Sequence, residues 1–191
     1  MAEFIPPARP LVGDEEIEAV TRVIRSGMLA QGPEVKAFEE EFSAHFGLGR
    51  ACVAVNSGTS GLHLGLLSSG VKAGDEVIVP SFTFAATANS VALTGATPVF
   101  ADIEPDTFCL DPASVEAAIT DRTVGIMPVH LYGHPASMGP LRELADRHGL
   151  KLFEDAAQAH GASLDGTPVG AFGQFAMFSL YPTKNMTSGE G

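Results

Sequence analysis

Between residues 51 and 180 short apolar runs alternate with longer segments that carry helix caps and glycine stops. The runs at 51–55, 76–79, 98–103, 124–129, 151–153 and 175–180 are dominated by apolar residues instead of alternating apolar with polar, as strands covered on both faces do. Between them the pattern predicts helices over 57–67, 84–93, 112–119 and 137–148. Asp111 caps the third with Pro112 at its first position, and Gly95 and Gly149 act as stops. Strand–helix–strand repetition of this kind specifies an α/β fold, a mostly parallel sheet with helices on both faces. Upstream, residues 6–10 read as an extended, proline-rich arm. A helix follows over 14–26 with Ile17, Val20 and Ile24 on one face and Gly27 as its stop. A second helix opens at Pro33, carries the stripe Val35, Phe38, Phe42 and Phe46, and ends at Gly47. The expected division is an arm and helix in 1–30 and one large domain over 31–191. A chain of 191 residues has room for one full core.

In open parallel sheets ligands meet the carboxyl ends of the strands. The polar segments that follow the strands are therefore where chemistry is expected. After 51–55 comes Asn56-Ser57-Gly58-Thr59-Ser60-Gly61, opening a helix. Small residues let the backbone approach an anion, and the helix start offers N–H donors. The same residues read equally well as an ordinary serine-capped helix start. After 76–79 comes Ser81-Phe82-Thr83-Phe84, whose aromatics either plate a flat ring or belong to the core. After 151–153 comes Asp155, with Gln158 and His160 downstream. A carboxylate beside a pyridine nitrogen keeps that nitrogen protonated. A helix cap, or a metal site shared with His160, are the alternatives for Asp155; the second lacks further His or Cys at ligand spacing. The last strand ends at Ser179, a candidate phosphate donor, and Pro182 precedes Lys184. A loop lysine taken alone is ordinarily solvated. The assembly changes that reading. A phosphate cradle, an aromatic plate, a carboxylate and a lysine at strand ends are what pyridoxal phosphate requires, including an amine to form an imine and move a proton.

Charge narrows the partners. With 11 basic and 23 acidic residues the net charge is −12, and no basic block exists, so a nucleic-acid footprint is unsupported. A phosphate ligand then depends on local N–H groups. Cys52 and Cys109 are far apart and in no metal-ligand spacing; free thiols fit a reducing compartment. No signal-like apolar core opens the chain and no run reaches membrane-spanning length, so the expected location is cytoplasmic.

The ordered segments Gln31-Gly32-Pro33, Asn56-Ser57-Gly58-Thr59-Ser60, Pro80-Ser81-Phe82-Thr83-Phe84-Ala85-Ala86-Thr87-Ala88-Asn89, Pro98-Val99-Phe100-Ala101-Asp102, Pro128-Val129-His130-Leu131-Tyr132-Gly133, Glu154-Asp155-Ala156-Ala157-Gln158-Ala159-His160-Gly161 and Phe178-Ser179 with Lys184 before Gly189-Glu190-Gly191 resemble the DegT/DnrJ/EryC1/StrS sugar aminotransferases. These are fold-type I pyridoxal phosphate enzymes with an aspartate aminotransferase-like large domain. The resemblance implies that Lys184 forms the imine with the cofactor and shuttles the proton. It places Asp155 on the pyridine nitrogen, Gln158 at the ring or its hydroxyl, Phe84 in stacking contact, and Thr59, Ser60 and Ser179 on the phosphate. It implies transfer of an amino group from glutamate or glutamine to a keto group of a nucleotide-linked sugar or cyclitol, in a homodimer. A dehydrating relative carries His where this chain keeps Lys184. Family members are longer: the resemblance implies a large domain incomplete at the C-terminus, an absent small domain, and a 191-residue chain inactive by itself. A non-catalytic sensory protein on the same fold is the alternative function.

Overall fold

Two units make up the chain, Met1–Ala54 and Val55–Gly191, and the computed structural model describes residues 4–6 and 8–191. In the first unit α1 spans Asp14–Ser26, with Asp14, Glu15 and Glu16 in its first turn. Those acids complement the helix dipole. Gly27 adopts φ 74° and closes α1 with the left-handed geometry that glycine alone enters freely. Ile17, Val20 and Ile24 are more than half exposed. Helix α2, Pro33–His45, starts with its proline in the first turn, and the Phe42 ring packs tilted against Phe38 at 5.5 Å and edge-on against Phe46 at 4.6 Å. The phenylalanine stripe is packing. The arm expected at 6–10 includes Pro7, which lies outside the described residues.

The second unit is built on a parallel sheet. Strands β1 (Glu76–Pro80), β2 (Thr97–Ala101), β3 (Thr123–Ile126) and β4 (Lys151–Asp155) are joined by a fifth, β7 (Phe175–Met177), in the order β2-β1-β3-β4-β7. Helices α3 (Gly58–Ser68) and α4 (Ala86–Leu93) cover one face, where Leu62, Leu66, Val77, Val79, Val91, Met127 and Phe153 form a core. Helices α5 (Pro112–Ala118) and α6 (Met138–His148) cover the other, over Ile78, Val115, Ile126, Leu141, Leu144 and Leu152. Val77 and Val79 belong to one core and Ile78 to the other, so β1 is buried at every position, as an apolar run without alternation demands. Asp111 caps α5 by accepting from Ala113 N at 3.0 Å.

Several boundaries differ from the sequence expectation, for reasons of pairing. Residues 51–55 form no strand: no parallel neighbour is found for them among the described residues, and Ala54 N donates instead to the Glu39 carboxylate at 2.8 Å. Strand β7 stops at Met177 because its partner β4 stops at Asp155, the residue in register with it. Conversely β4 runs two residues past Phe153, so Asp155 is the last residue of a strand and not a loop residue after one. Strands β2 and β3 end at Ala101 and Ile126, short of the expected 103 and 129, where the bridges Ile103–Leu110 and Val129–Asp155 stand apart from them. Residues 161–173 are only partly a surface excursion. They begin with a hairpin, β5 (Ser163–Leu164) and β6 (Thr167–Pro168), then turn inward, burying Val169, Gly170 and Gly173.

Candidate active site

The chain runs from β1 outward to β2 and then returns to lay β3, β4 and β7 on the other side. The direction of winding therefore reverses between β1 and β3, and a crevice opens at their carboxyl ends. Three segments meet there: 81–87 after β1, 127–133 after β3, and 155–160 at the end of β4.

Asp155 sits at that point and is 4% exposed. Its Oδ2 accepts from Thr87 Oγ1 at 2.7 Å and its Oδ1 from Ala157 N at 3.2 Å. Burial pushes the carboxyl above its ordinary pKa; the hydrogen bonds from Thr87 and Ala157 and the fields of His130 and Lys184 pull it back without restoring it. A buried carboxylate in that condition gains most from a further cationic N–H. Lys184 lies in the turn after β7, half-buried, its N–H donating to Tyr181 O at 2.9 Å. It is close enough for its charge to be felt by both Asp155 and His160. Burial lowers the His160 pKa; a hydrogen bond with the Ser179 backbone opposes this and Lys184 adds to it. The His160 ring packs on Phe178 at 5.4 Å between centroids.

Gln158 is fixed by an unusual neighbour. Its Oε1 accepts from Tyr132 N at 2.6 Å, and Tyr132 holds φ 53°, a left-handed conformation rare for an aromatic residue. With Oε1 so engaged, the amide presents its NH2 side, a donor, to anything else it meets. The two candidate aromatics are both exposed but differ in their neighbours. Phe82 packs on Phe108 at 5.9 Å, whereas Phe84 is 73% exposed.

At the start of α3, Ser57 Oγ accepts from Ser60 N at 3.1 Å and lies 3.0 Å from Ser60 Oγ, a serine N-cap in geometry. Thr59 and Ser60 occupy the first turn. The N–H groups of Gly58 and Thr59 precede the first intrahelical donor, Gly61 N, which bonds Ser57 O at 3.0 Å, so capping leaves donors for an anion. Ser179 is buried and adjacent: a Cβ built on Gly58 would meet Ser179 Cβ at 3.4 Å. Ser179 Oγ donates to Gly191 O at 3.3 Å and accepts from Tyr181 N at 3.4 Å. The glycines of this segment have a second role. A Cβ on Gly61 would lie 2.9 Å from Met177 Cγ, and one on Gly65 would lie 2.5 Å from the Phe175 ring. They let α3 approach β7 closely, which brings the first turn of the helix to the end of that strand.

Sequence reasoning missed the support beneath Asp155. Glu154 and His130 are both fully buried. Glu154 accepts from Gly173 N at 2.6 Å, Gly170 N at 2.8 Å and His130 Nε2 at 3.2 Å. Ala136 N donates to His130 Nδ1 at 3.1 Å, so the ring proton resides on Nε2 and points to the carboxylate. His130 N in turn donates to Asp155 O at 3.0 Å. Burial alone would raise the Glu154 pKa; the His130 and glycine hydrogen bonds outweigh it and hold the carboxyl below its ordinary value. The signal available in the sequence was two ionisable residues, His130 and Glu154, set in otherwise apolar strand ends.

Comparison with known proteins agrees with this architecture. The DegT/DnrJ/EryC1/StrS aminotransferase family matches residues 10–191. The dTDP-3-amino-3,4,6-trideoxy-alpha-D-glucose transaminase of Streptomyces venezuelae is 54% identical over 168 residues, 88% of this chain and 44% of that protein. The L-glutamine:2-deoxy-scyllo-inosose aminotransferase of Streptomyces kanamyceticus is 49% identical over 191 aligned residues, 97% of this chain and 45% of that protein. Among solved structures, NtdA of Bacillus subtilis with bound cofactor PMP superposes with a TM-score of 0.85 at 38% identity, covering 92% of this chain and 40% of that one. The chain thus spans about half the length of the curated relatives it matches, 44% and 45% in the two cases above. With the matched region taking in nearly every described residue, the chain belongs to the DegT/DnrJ/EryC1/StrS aminotransferase family.

Proposed function

We propose that this chain carries the cofactor-binding and proton-transfer machinery of a pyridoxal phosphate-dependent aminotransferase. The reaction moves an amino group from glutamate or glutamine to a keto group on a nucleotide-linked sugar or a cyclitol. The observation that carries the reading is Asp155: a buried carboxylate at the switch point of the sheet, hydrogen-bonded by Thr87 and within the field of Lys184. Burial raises its pKa, and a protonated ring nitrogen beside it would favour the ionised carboxylate.

The residues fit the cofactor in other respects. The first turn of α3, with Thr59, Ser60 and the neighbouring Ser179, offers donors for a phosphate. The exposed Phe84 ring offers a face for stacking, and the Gln158 NH2 a donor for a ring oxygen. When bound, pyridoxal phosphate serves as an electron sink for the substrate carbon. Lys184 Nζ provides the amine for carbonyl attachment and afterwards takes up and returns a proton. Asp155 holds the proton of the ring nitrogen in place. Lys184 is half-buried in the turn after the last strand, and its charge is felt by both Asp155 and His160.

The glutamine-dependent and nucleotide-sugar relatives support the donor and acceptor classes. We further propose a cytoplasmic location and a homodimer, the second being what the family resemblance implies. Because the 191 residues are expected to be inactive by themselves, the test is reconstitution with pyridoxal phosphate of this chain within a protein of its relatives' full length, and assay with glutamine, glutamate and a panel of keto sugars. Wild type develops visible cofactor absorbance and amino transfer, and Lys184→Ala loses both. Turnover undiminished in Lys184→Ala would refute the assignment.

A further inference from the structure

Neither helix capping nor core packing accounts for the chain of hydroxyls that leads away from Asp155. Thr87 is fully buried in the first turn of α4 and donates to Asp155 Oδ2 at 2.7 Å, joining residues 68 apart in the sequence. A hydroxyl has a single hydrogen. With that hydrogen given to the carboxylate, the 3.0 Å contact between Thr87 Oγ1 and Thr83 Oγ1 uses the hydrogen of Thr83. The direction of the chain is then fixed: Thr83 donates to Thr87, and Thr87 to Asp155. Both residues are β-branched, so few χ1 positions compete with this arrangement. Thr83 directly precedes Phe84, and Thr87 N donates to Phe84 O at 3.1 Å. Main chain and side chains together tie the segment bearing the exposed aromatic ring to the carboxylate.

We propose that Thr83 and Thr87 are positioning residues that aim Asp155, favour its ionised form and hold Phe84 in register with it. Carboxylate and plate are then presented together to one flat heteroaromatic cation. The identity of that cation as the pyridinium of pyridoxal phosphate rests on the function proposed above; the hydroxyl relay does not. Hydrogen bonds to a carboxylate favour its charged form, and a second donor behind the first polarises it further. The other groups facing Asp155 are the Ala157 N–H, His130 with its ring paired to Glu154, and Lys184. All of them remain when Thr87 is changed, so a substitution there isolates the hydroxyl.

The test is a carbon-13 NMR titration of the Asp155 carboxyl in the full chain without cofactor, the resonance assigned with Asp155→Asn. Thr87→Val keeps the shape and removes the donor, and should move the Asp155 midpoint up by about one to two pH units, the worth of one hydrogen bond to a charged group. Thr87→Ser should restore most of the shift. Thr83→Val, at a half-buried position that tolerates change, should move it up by a few tenths of a pH unit and carries the test if Thr87→Val does not fold. After loading with pyridoxal phosphate, the pH at which the ring nitrogen loses its proton, followed by absorbance, should fall in Thr87→Val and recover in Thr87→Ser. An Asp155 midpoint in Thr87→Val within about 0.3 pH units of wild type overturns the proposal. So does a Ser variant displaced as far as the Val variant, or a Thr83→Val midpoint that stays put or moves down. If wild type takes up no cofactor, the functional reading fails by itself, and the cofactor-free titration still decides the relay.

Discussion

Replacing Glu154 by Gln tests whether the buried network under Asp155 holds the site together. The wild-type carboxylate accepts three hydrogen bonds, two at Oε2 from His130 and Gly170 and one at Oε1 from Gly173. Glutamine has one acceptor oxygen and one NH2. In its better orientation the oxygen faces His130 and Gly170, and the NH2 is set against the Gly173 N–H, donor to donor. The reverse orientation opposes two donors. His130 cannot adapt by moving its proton, because Nδ1 already accepts from Ala136 N. Setting a buried donor against another costs about 1–3 kcal/mol, and weakening two charge-assisted bonds to neutral ones adds about 1 kcal/mol. The expected loss is roughly 2–4 kcal/mol, a large part of the ~5–15 kcal/mol that holds a domain folded. Urea denaturation at pH 7 should show the midpoint lowered by about 1–2 M with an unchanged slope. The sign of the pH dependence follows from the depressed Glu154 pKa. Its contribution is complete above the unfolded value of about 4.3 and is lost as pH falls through the lower folded value. The gap between wild type and Glu154→Gln should therefore close in acid. A variant within about 0.3 M of wild type at pH 7 would refute the reasoning.

Gly65→Ala should destabilise by about 1–3 kcal/mol, since the added methyl enters the Phe175 ring; thermal denaturation reads this, and an unchanged midpoint would mean that α3 does not lie so close to β7. Asp155→Asn should leave stability without cofactor unchanged or raised at pH 7. A carboxyl with a raised folded pKa helps the fold only at low pH and loses that contribution as pH rises through the folded value. The same variant should lose amino transfer; a substantial drop in its urea midpoint would contradict the account. Ser57→Ala should cost about 1 kcal/mol by removing the cap of α3, with weaker retention of a phosphate-bearing cofactor measured by equilibrium dialysis.

Local signals were legible in the sequence, and pairings across long separations were not. Gly27, Pro33 and the Asp111–Pro112 cap marked helix ends because each acts within one turn. The order of polar segments after apolar runs put Asp155, Gln158, Phe84 and Lys184 at or beyond strand ends, which a parallel sheet brings to one edge. What escaped was set by partners far along the chain. Residues 51–55 look like a strand, but a ladder needs a neighbour, and apolar content does not provide one. Glu154 depends on residues 16, 19 and 24 positions away, and Thr87 meets its carboxylate across 68. Gly61 was read, with its neighbours, as easing an anion's approach, a local argument, and Gly65 carried no reading. Their role against Met177 and Phe175 became visible only once α3 was laid on β7.

The central claim is that Lys184 is the residue that attaches the cofactor. The chain offers four lysines, Lys36, Lys72, Lys151 and Lys184. Loading the protein with pyridoxal phosphate, reducing with borohydride and mapping the peptides by mass spectrometry makes the choice directly. The account predicts the pyridoxyl increment on the peptide containing Lys184, with the other three unmodified at stoichiometric cofactor. Stable labelling at Lys36, Lys72 or Lys151 in preference to Lys184, or none at all, would contradict it.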